Sequence, residues 1–389
     1  MNRIHYLLIL LLCFVLACSD KENGTGDDDE SQNYSGATYK SEKLTFGVDT
    51  IANDLKNPWG IAFLPDGRIL VTERAGEVLI FQDGKQLGEK IQIPDVYVEG
   101  QGGLLDIKLH PDYDENGWIY LSYAKKGEGG GGTVIVRTKL EGNKFTELEQ
   151  LFAAQPLSES GAHFGSRIVF DGNGHIFFSC GERGTKENAQ TLGNHLGKVL
   201  RLHEDGKVPT DNPFVNTEGA KPEIWSYGHR NPQGLVYDAD TKTLWDVEHG
   251  PRGGDELNKV EKGKNYGWPV ITYGINYDST KITDITSKEG LEQPTTYWVP
   301  SIAPCGMMQV KGDKFEGWKN NLLVGALALQ HIARVELTAD GKYVSQERLL
   351  DKMARVRAVE ESPDGYIYVA TEGPGMLLKL TPVEEGDGI

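Results

Sequence analysis

Cysteine is scarce in this chain: its 389 residues contain only four, at positions 13, 18, 180 and 305. No pair has CxxC spacing, no CxxCH sequence is present to attach a haem, and no cysteine–histidine spacing fits a zinc site. These absences exclude a small disulfide-stapled fold, a zinc-ribbon domain and a covalently held haem. We interpret Cys180 and Cys305 as two unpaired, buried cysteines; a disulfide between them in an oxidising compartment is the alternative.

Positive charge is in deficit. The 57 acidic residues outnumber the 40 basic ones, which gives a formal net charge of −17. Phosphate backbones and anionic lipid surfaces repel a chain with this balance. We therefore expect no nucleic-acid partner and no electrostatic binding to a membrane surface.

Long apolar runs are missing except in residues 1–17, where Arg3 precedes an apolar stretch of signal-peptide length. This stretch is too short for a comfortable transmembrane helix. It ends in Leu-Ala-Cys, which resembles a bacterial lipoprotein signal, so we predict cleavage before Cys18 and lipidation of its thiol. The protein would then lie in the bacterial cell envelope, lipid-anchored to the outer membrane, periplasmic or surface-exposed. An ordinary secretory signal with an incidental Cys18 is the alternative.

Residues 18–45 are acidic and poor in apolar side chains, which predicts a flexible tether after the lipidated cysteine. The acidic run at 27–30 resembles the export signals of some surface lipoproteins, and a solvated linker explains it equally well. No further linker interrupts residues 46–389, so we predict one domain there. We expect its first strand, near 48–52, to pair with the last repeat.

Helical patterns longer than a turn or two are absent, and a β-hairpin pattern recurs in their place. Each copy has an apolar strand, an Asp/Gly turn and a second apolar strand, as in GIAFLPDGRILVTER at 60–74. Strand-rich repeats of about 40–50 residues are typical of propellers. Six copies predict an all-β fold, a six-bladed β-propeller. The turn aspartates are Asp66, Asp112, Asp171, Asp238, Asp313 and Asp364.

The segment EHGPRGGDEL at 248–257 places acids among glycines and a proline. This composition opposes both helix and strand and therefore predicts a loop. Such a loop presents backbone carbonyls beside carboxylates, the oxygen ligands that calcium prefers. A solvated acidic turn is the alternative, because turns favour Gly, Pro and Asp.

Polar residues stand at corresponding points of several repeats, where a propeller brings strand ends to one face. Gln101 lies in a glycine-rich turn, and His163 lies just before an apolar strand. Arg230 and Asn231 occupy the same point one repeat later. We expect these side chains to converge, with a purely structural histidine as the alternative.

Two arginines in the segment MARVRAVE, Arg355 and Arg357, are spaced i, i+2 and share one face of a strand. Together with Arg230 they concentrate positive charge in an acidic protein, which favours an anionic ligand. A solvated arginine edge is the alternative.

Over residues 55–382 the chain resembles the soluble, calcium-dependent glucose and aldose sugar dehydrogenases that use pyrroloquinoline quinone (PQQ). The motifs that carry the resemblance, in order, are NPWGIAFLPDGRILVTER, GQGGLLDI, GAHFGSRIVF, LGKVLRLHEDGKVPTDNPF, IWSYGHRNPQGL, EHGPRGGDELN, GKNYGWP and ARVRAVEESPDG. The resemblance implies oxidation of an aldose sugar at C1 to the lactone, with PQQ and Ca²⁺ as cofactors. Because the chain lacks a haem motif, we expect an external electron acceptor, a cytochrome or a quinone. We expect a monomer or a homodimer.

Carried over position by position, the resemblance implies a role for each matching residue. His163 matches the catalytic base, and Arg230 matches a catalytic residue that also touches the cofactor. The implied cofactor contacts are Gln101, Arg230, Asn231, Tyr277, Arg355 and Arg357. The implied calcium ligands are Gly250 and Pro251 at the quinone, and Glu256 and Tyr266 at a second, structural site.

Three positions depart from the family pattern. Ala328 or a neighbour replaces a lysine of some members, Ala162 stands where the glucose enzymes carry an acid, and Glu182 stands where a glutamine can occur. Since fold does not fix function, two other functions stay open. One is a catalytically inactive or hydrolytic, lactonase-like calcium-binding propeller, and the other is a surface carbohydrate-binding module.

Overall fold

Short strands joined by tight turns pair with their neighbours along the chain. The computed structural model describes residues 34–383, which form six sheets of four or five strands, one single-turn α-helix and two 3₁₀ helices. Pairing between strands is antiparallel throughout the six sheets, as hairpin connections require.

The strands are β1 (Ala37–Lys40), β2 (Thr45–Ala52), β3 (Pro58–Phe63), β4 (Ile69–Glu73), β5 (Glu77–Gln82), β6 (Lys85–Gln86), β7 (Ile91–Gln92), β8 (Leu104–Leu109), β9 (Trp118–Gly127), β10 (Gly130–Glu141), β11 (Lys144–Phe145), β12 (Glu149–Ala153), β13 (Ile168–Phe170), β14 (His175–Cys180), β15 (Lys198–His203), β16 (Ile224–Tyr227), β17 (Pro232–Asp238), β18 (Thr243–Glu248), β19 (Asp255–Val260), β20 (Thr296–Trp298), β21 (Pro304–Gln309), β22 (Leu322–Ala326), β23 (His331–Leu337), β24 (Tyr343–Leu349), β25 (Arg355–Glu361), β26 (Ile367–Glu372) and β27 (Met376–Pro382). The helices are α1 (Tyr113–Asn116) and the 3₁₀ helices Lys186–Gln190 and Glu316–Trp318. Blade 1 comprises β3–β7, blade 2 β8–β12, blade 3 β13–β16, blade 4 β17–β20, blade 5 β21–β24, and blade 6 β25–β27 with β2 and β1.

The first strand of each blade lines the propeller axis. β3, β8, β13, β17, β21 and β25 contact one another in this order, and β25 returns to β3. The prediction of a six-bladed, all-β propeller is therefore confirmed. Close approach of these strands needs glycine at some positions: a Cβ on Gly306 would lie 2.7 Å from the Cα of Ala358 in the next blade.

The N-terminal strand completes blade 6. β2 pairs with β27 from Phe46 to Ala52, which confirms the expectation that the first strand joins the last repeat. β1 pairs with β2 in turn, although the sequence pattern assigned residues up to 45 to the tether. The folded domain therefore begins earlier than residue 46. The ring of Tyr39 stacks on Phe46 at 5.8 Å, an apolar anchor in a segment whose average composition is polar.

The turn between β1 and β2 fastens blade 6 to blade 5. Arg334 is fully buried and donates hydrogen bonds to Glu42 at 3.0 Å and Glu347 at 2.9 Å. The rings of Phe46 and Trp318 pack edge to face, 5.2 Å apart between centroids. The turn and the start of β2 thus fasten blade 6 to blade 5 through ion pairs of a buried arginine and through apolar packing.

Cys180 and Cys305 are free and buried, as interpreted from the sequence. Within residues 34–383 no helix has the length and apolar character needed to cross a membrane. The predicted signal peptide at 1–17, the lipidated Cys18 and tether residues 18–33 lie outside the described residues.

Phe46→Ala should destabilise the protein by about 3–5 kcal/mol, because it removes a buried ring from the seam that closes the propeller. Chemical denaturation of the variant and the parent measures this difference. Asp49→Ala on the same strand is the matched control, since Asp49 is exposed and should change stability by less than about 0.5 kcal/mol. Equal stability of Phe46→Ala and the parent would show that the first strand does not close the ring.

Candidate active site

Loops at one end of the blades bring His163, Gln101 and Asn231 together. The side-chain oxygen of Gln101 accepts a hydrogen bond from the His163 backbone amide at 2.9 Å. Asn231 Oδ1 accepts a hydrogen bond from the Gly165 backbone amide at 3.1 Å. Two loops that are distant in sequence, those of Gln101 and Asn231, therefore hold the segment around His163 from two sides.

The backbone of His163 has a left-handed conformation, with φ of 56°. A non-glycine residue in this region is strained and persists where the surroundings fix it, often at functional sites. A Cβ on the neighbouring Gly181 would lie only 2.3 Å from the His163 carbonyl oxygen. Glycine at 181 is therefore required for the strand end to approach the histidine.

The imidazole of His163 is paired with a buried carboxylate. Its Nδ1 lies 2.8 Å from Oε1 of Glu182, whose side chain is 2% exposed. Burial lowers the pKa of His163, Glu182 partly offsets this effect, and the positive charge of Arg230 adds to it. The ring is therefore neutral near neutral pH, with an orientation fixed by the carboxylate.

Arg230 connects this histidine to the loop after β18. Its guanidinium donates to the carbonyl oxygens of His249 at 3.0 Å and Gly250 at 2.7 Å, and it lies over the Trp268 ring at 5.4 Å. Glu248 Oε2 accepts the Arg230 backbone amide at 2.6 Å. The predicted quinone contact and the predicted calcium loop are therefore neighbours in the fold.

The loop at 249–254 is held in place by Asp255, the first residue of β19. This buried carboxylate accepts the Gly250 amide at 2.8 Å through one oxygen, and the amides of Ile302 and Ala303 through the other. Pro251 is buried beside Gly250. Asp255 thus holds the loop in place and leaves the Gly250 carbonyl facing Arg230.

Arg355 and Arg357 reach the same carboxylate. Arg357 Nε donates to Glu372 at 2.8 Å, and the Arg355 guanidinium lies 3.4 Å from the other Glu372 oxygen. The Arg355 side chain is 42% exposed and that of Arg357 only 8%. Arg357 also donates to Gln233 at 2.8 Å, so two partners fix it, whereas Arg355 is partly exposed to solvent.

Tyr277 is placed differently from the other predicted cofactor contacts. Its side chain is 74% exposed, in a turn stabilised by hydrogen bonds between Asn276 and Thr280. Among residues 34–383 it makes no hydrogen bond to the groups described above.

A cluster of buried acids lies behind the 249–254 loop. Asp246 and Glu248 on β18 face Asn258 and Glu256 on β19, because these residues are paired directly across the two strands. His229 Nδ1 lies 3.2 Å from Glu248 and 3.3 Å from Asp246. Both carboxylate oxygens of Asp246 and the amide oxygen of Asn258 are buried without a hydrogen-bond partner among the described residues.

Without a bound cation, the buried carboxylates of this cluster repel one another. Burial, and then repulsion from Glu248 and Glu256, raises the pKa of Asp246 well above the usual carboxyl range. Burial and the Glu248 charge likewise raise the pKa of Glu256. Tyr266 stacks on His229 at 4.6 Å, and its hydroxyl is bonded to the Lys259 carbonyl, so only its backbone oxygen could serve a metal.

Several members of these groups had no site role predicted from the sequence. They are Glu182, His229, Asp246, Glu248 and Asn258. The alternation in LWDVE and DELNKV carried a signal, because it places acidic or amide side chains at i, i+2 on two strands of one hairpin. Only the strand register shows that the two sets face each other.

Taken together, the fold and this face define a propeller with a buried histidine–carboxylate pair and a group of arginines near one end of the axis. The family model described as Glucose / Sorbosone dehydrogenase matches residues 55–379. Aldose sugar dehydrogenase YliI from Escherichia coli (strain K12) is 43% identical over 346 residues, which cover 87% of this chain and 93% of that protein. The chain belongs to the glucose/sorbosone dehydrogenase family and is a sugar-oxidising enzyme.

Solved structures agree with this assignment. The crystal structure of the soluble aldose sugar dehydrogenase from Escherichia coli, in the apo-form, has a TM-score of 0.83 and 41% identity, covering 87% of this chain and all of that one (100%). The PQQ-bound form of an aldose sugar dehydrogenase from Streptomyces coelicolor has a TM-score of 0.70 and 26% identity, covering 87% and 98%.

Proposed function

We propose that this protein oxidises an aldose sugar at C1 to the lactone, with PQQ and Ca²⁺ as cofactors and His163 as the base. The observation that carries the proposal is the His163–Glu182 pair at 2.8 Å, set in a strained loop beside Arg230. Members of the same family bind PQQ or act on aldoses, which supports the choice of cofactor and substrate class.

His163 has the properties that proton abstraction from a sugar hydroxyl needs. Because Nδ1 faces the Glu182 carboxylate, we assign the proton to Nδ1 and the lone pair to Nε2. Nε2 can then take the proton of the anomeric hydroxyl while Glu182 stabilises the imidazolium that forms. The lowered pKa of His163 keeps this nitrogen unprotonated near neutral pH.

The residues around Arg230 fit a quinone with carboxylate groups. Asn231 is fully buried and its Nδ2 has no hydrogen-bond partner among residues 34–383, which leaves a donor for a quinone oxygen. Arg230 would stabilise negative charge on that oxygen, and Arg355 and Arg357 would hold carboxylates. When bound, PQQ supplies the two-electron acceptor for the sugar oxidation.

Calcium fits the oxygen-rich groups next to this position. The carbonyls of Gly250 and Pro251 would bind one ion. Glu256 and the backbone oxygen of Tyr266 would bind a second, structural ion, with Asp246 and Asn258 as further oxygen donors from the same buried face. A divalent cation would relieve the repulsion among these buried carboxylates.

Electrons must then leave to an external acceptor, a cytochrome or a quinone. We further propose that the protein acts in the cell envelope, held to the outer membrane through lipidated Cys18 at the end of the tether, as a monomer or a homodimer.

His163→Ala should bind PQQ like the parent and reduce it about 10²–10⁴-fold more slowly, the usual contribution of a positioned base. The measurement is the spectral change of reconstituted protein after aldose is added in a single turnover. His175→Ala is the matched control, because His175 pairs with Asp171 in a hairpin turn of blade 3 and should be dispensable. Near-parental turnover of His163→Ala would exclude His163 as the base. If the parent protein binds PQQ but no aldose reduces it, the result would favour a surface carbohydrate-binding module.

Calcium should raise the melting temperature, and by more as pH rises. The pKa values of Asp246 and Glu256 are raised in the folded state. In chelator their contribution to stability is present below about pH 4 and is lost as pH rises toward the raised values. A cation at a hundredfold excess over its Kd would add about 2.7 kcal/mol.

Melting curves in calcium and in chelator at several pH values measure this difference. Glu256→Gln should shrink the calcium effect, whereas Glu289→Gln, an exposed acid outside the cluster, should leave it unchanged. Identical melting temperatures of the parent in calcium and in chelator would rule out a tight structural site.

A further inference from the structure

Arg74 lies at the same end of the propeller as the proposed site and belongs to none of the groups assigned above. It follows β4, and its guanidinium donates a hydrogen bond to the Gly100 carbonyl, next to Gln101. The Gln101 amide in turn donates to the Gly161 carbonyl at 2.6 Å, and its side chain holds the His163 backbone. Arg74 is therefore one loop away from the proposed base.

The charge of Arg74 converges with the arginines of blade 6. Burial acts to raise the pKa of Glu372, but Arg357, Arg355 and Arg74 together lower it. The pKa of Arg74 is itself lowered by burial and by the like charge of Arg357, with Glu372 acting in the opposite sense. Arg74 is thus close enough to this pair for Glu372 to attract its charge and for Arg357 to repel it.

One carboxylate cannot satisfy these three cations. Glu372 bonds Arg357 at 2.8 Å and Arg355 at 3.4 Å, and among the described residues it has no hydrogen bond to Arg74. Arg74 Nε is buried without a partner in residues 34–383. In a protein with a net charge of −17, such a local excess of positive charge with an open donor calls for an anion.

We propose that Arg74, which follows β4 of blade 1, binds a carboxylate of the ligand beside the blade 6 arginines Arg355 and Arg357. This inference rests on the proposed function, since PQQ carries three carboxylates. A carboxylate can also come from the sugar, if the substrate is a hexuronate. The shared chemistry is a carboxylate–guanidinium pair, and the experiment separates the two sources.

The test uses apo-protein in saturating calcium, titrated with PQQ and followed by quenching of tryptophan fluorescence. Arg74→Gln should raise the Kd for PQQ about 10- to 100-fold, the range expected for one lost charge-assisted hydrogen bond. Arg74→Lys should lie between the parent and Arg74→Gln. Arg68→Gln is the matched control: Arg68 flanks the other end of β4, where it pairs with Asp66, and its loss should leave PQQ affinity unchanged.

A second arm uses loaded enzyme and compares KM for a hexuronate with KM for the corresponding neutral aldose. If Arg74→Gln keeps parental PQQ affinity but raises KM for the hexuronate alone, the carboxylate is that of the substrate. Parental behaviour of Arg74→Gln in both arms overturns the inference. Arg355→Gln, titrated in parallel, separates failure of this inference from failure of the proposed function. If Arg355→Gln weakens PQQ binding and Arg74→Gln does not, the proposed function stands and only the role of Arg74 is removed.

Discussion

The propeller depends on a buried ion pair at its axis, between Arg167 of blade 3 and Asp106 of blade 2. Nη1 of Arg167 donates to Asp106 at 2.8 Å, and both side chains are at most 1% exposed. The second Asp106 oxygen accepts the amide of Ile168, which begins β13. Removing one partner would leave an uncompensated charge where no water can reach it, at a cost of about 3–5 kcal/mol. The inner strands are therefore held in one arrangement.

The same network continues to the ligand face. Arg167 Nε donates to the Gln233 carbonyl at 3.0 Å, and the Gln233 side chain accepts from Arg357, which holds Glu372. The guanidiniums of Arg167 and Arg357 lie 4.0 and 5.7 Å from the Trp59 ring. Four blades thus contribute to one chain of polar contacts, and blade 1 adds the ring of Trp59 beside two of its guanidiniums. The chain ends at Arg357 and Glu372, where we propose that the carboxylates of the cofactor bind. The groups that would meet the cofactor are therefore fixed by the interactions that hold the blades together.

Most of the architecture could be predicted from the sequence, because hairpin repeats are local patterns that survive in one dimension. Strand β1 could not, since its apolar contact of Tyr39 with Phe46 does not stand out from the polar average composition of the segment. That Asp246 and Asn258 face each other could be recognised only from the register of β18 and β19. Arg74 carried no motif of its own, and its proposed role depends on Glu372, which is distant in sequence. Tyr277 was expected at the cofactor and lies in an exposed turn. Local sequence patterns thus predict strands and turns, whereas the balance of charge at a site depends on residues that only the fold brings together.

In the proposed reaction His163 acts as the base, and Glu182 sets its protonation. The most direct measurement is the pH dependence of quinone reduction by aldose in a single turnover, for the parent and for Glu182→Gln. Because Glu182 acts to raise the pKa of His163, its removal should move the acidic limb of the profile to lower pH and lower the plateau rate. An acidic limb at the same pH in both proteins would contradict the assignment of His163 as the base controlled by Glu182.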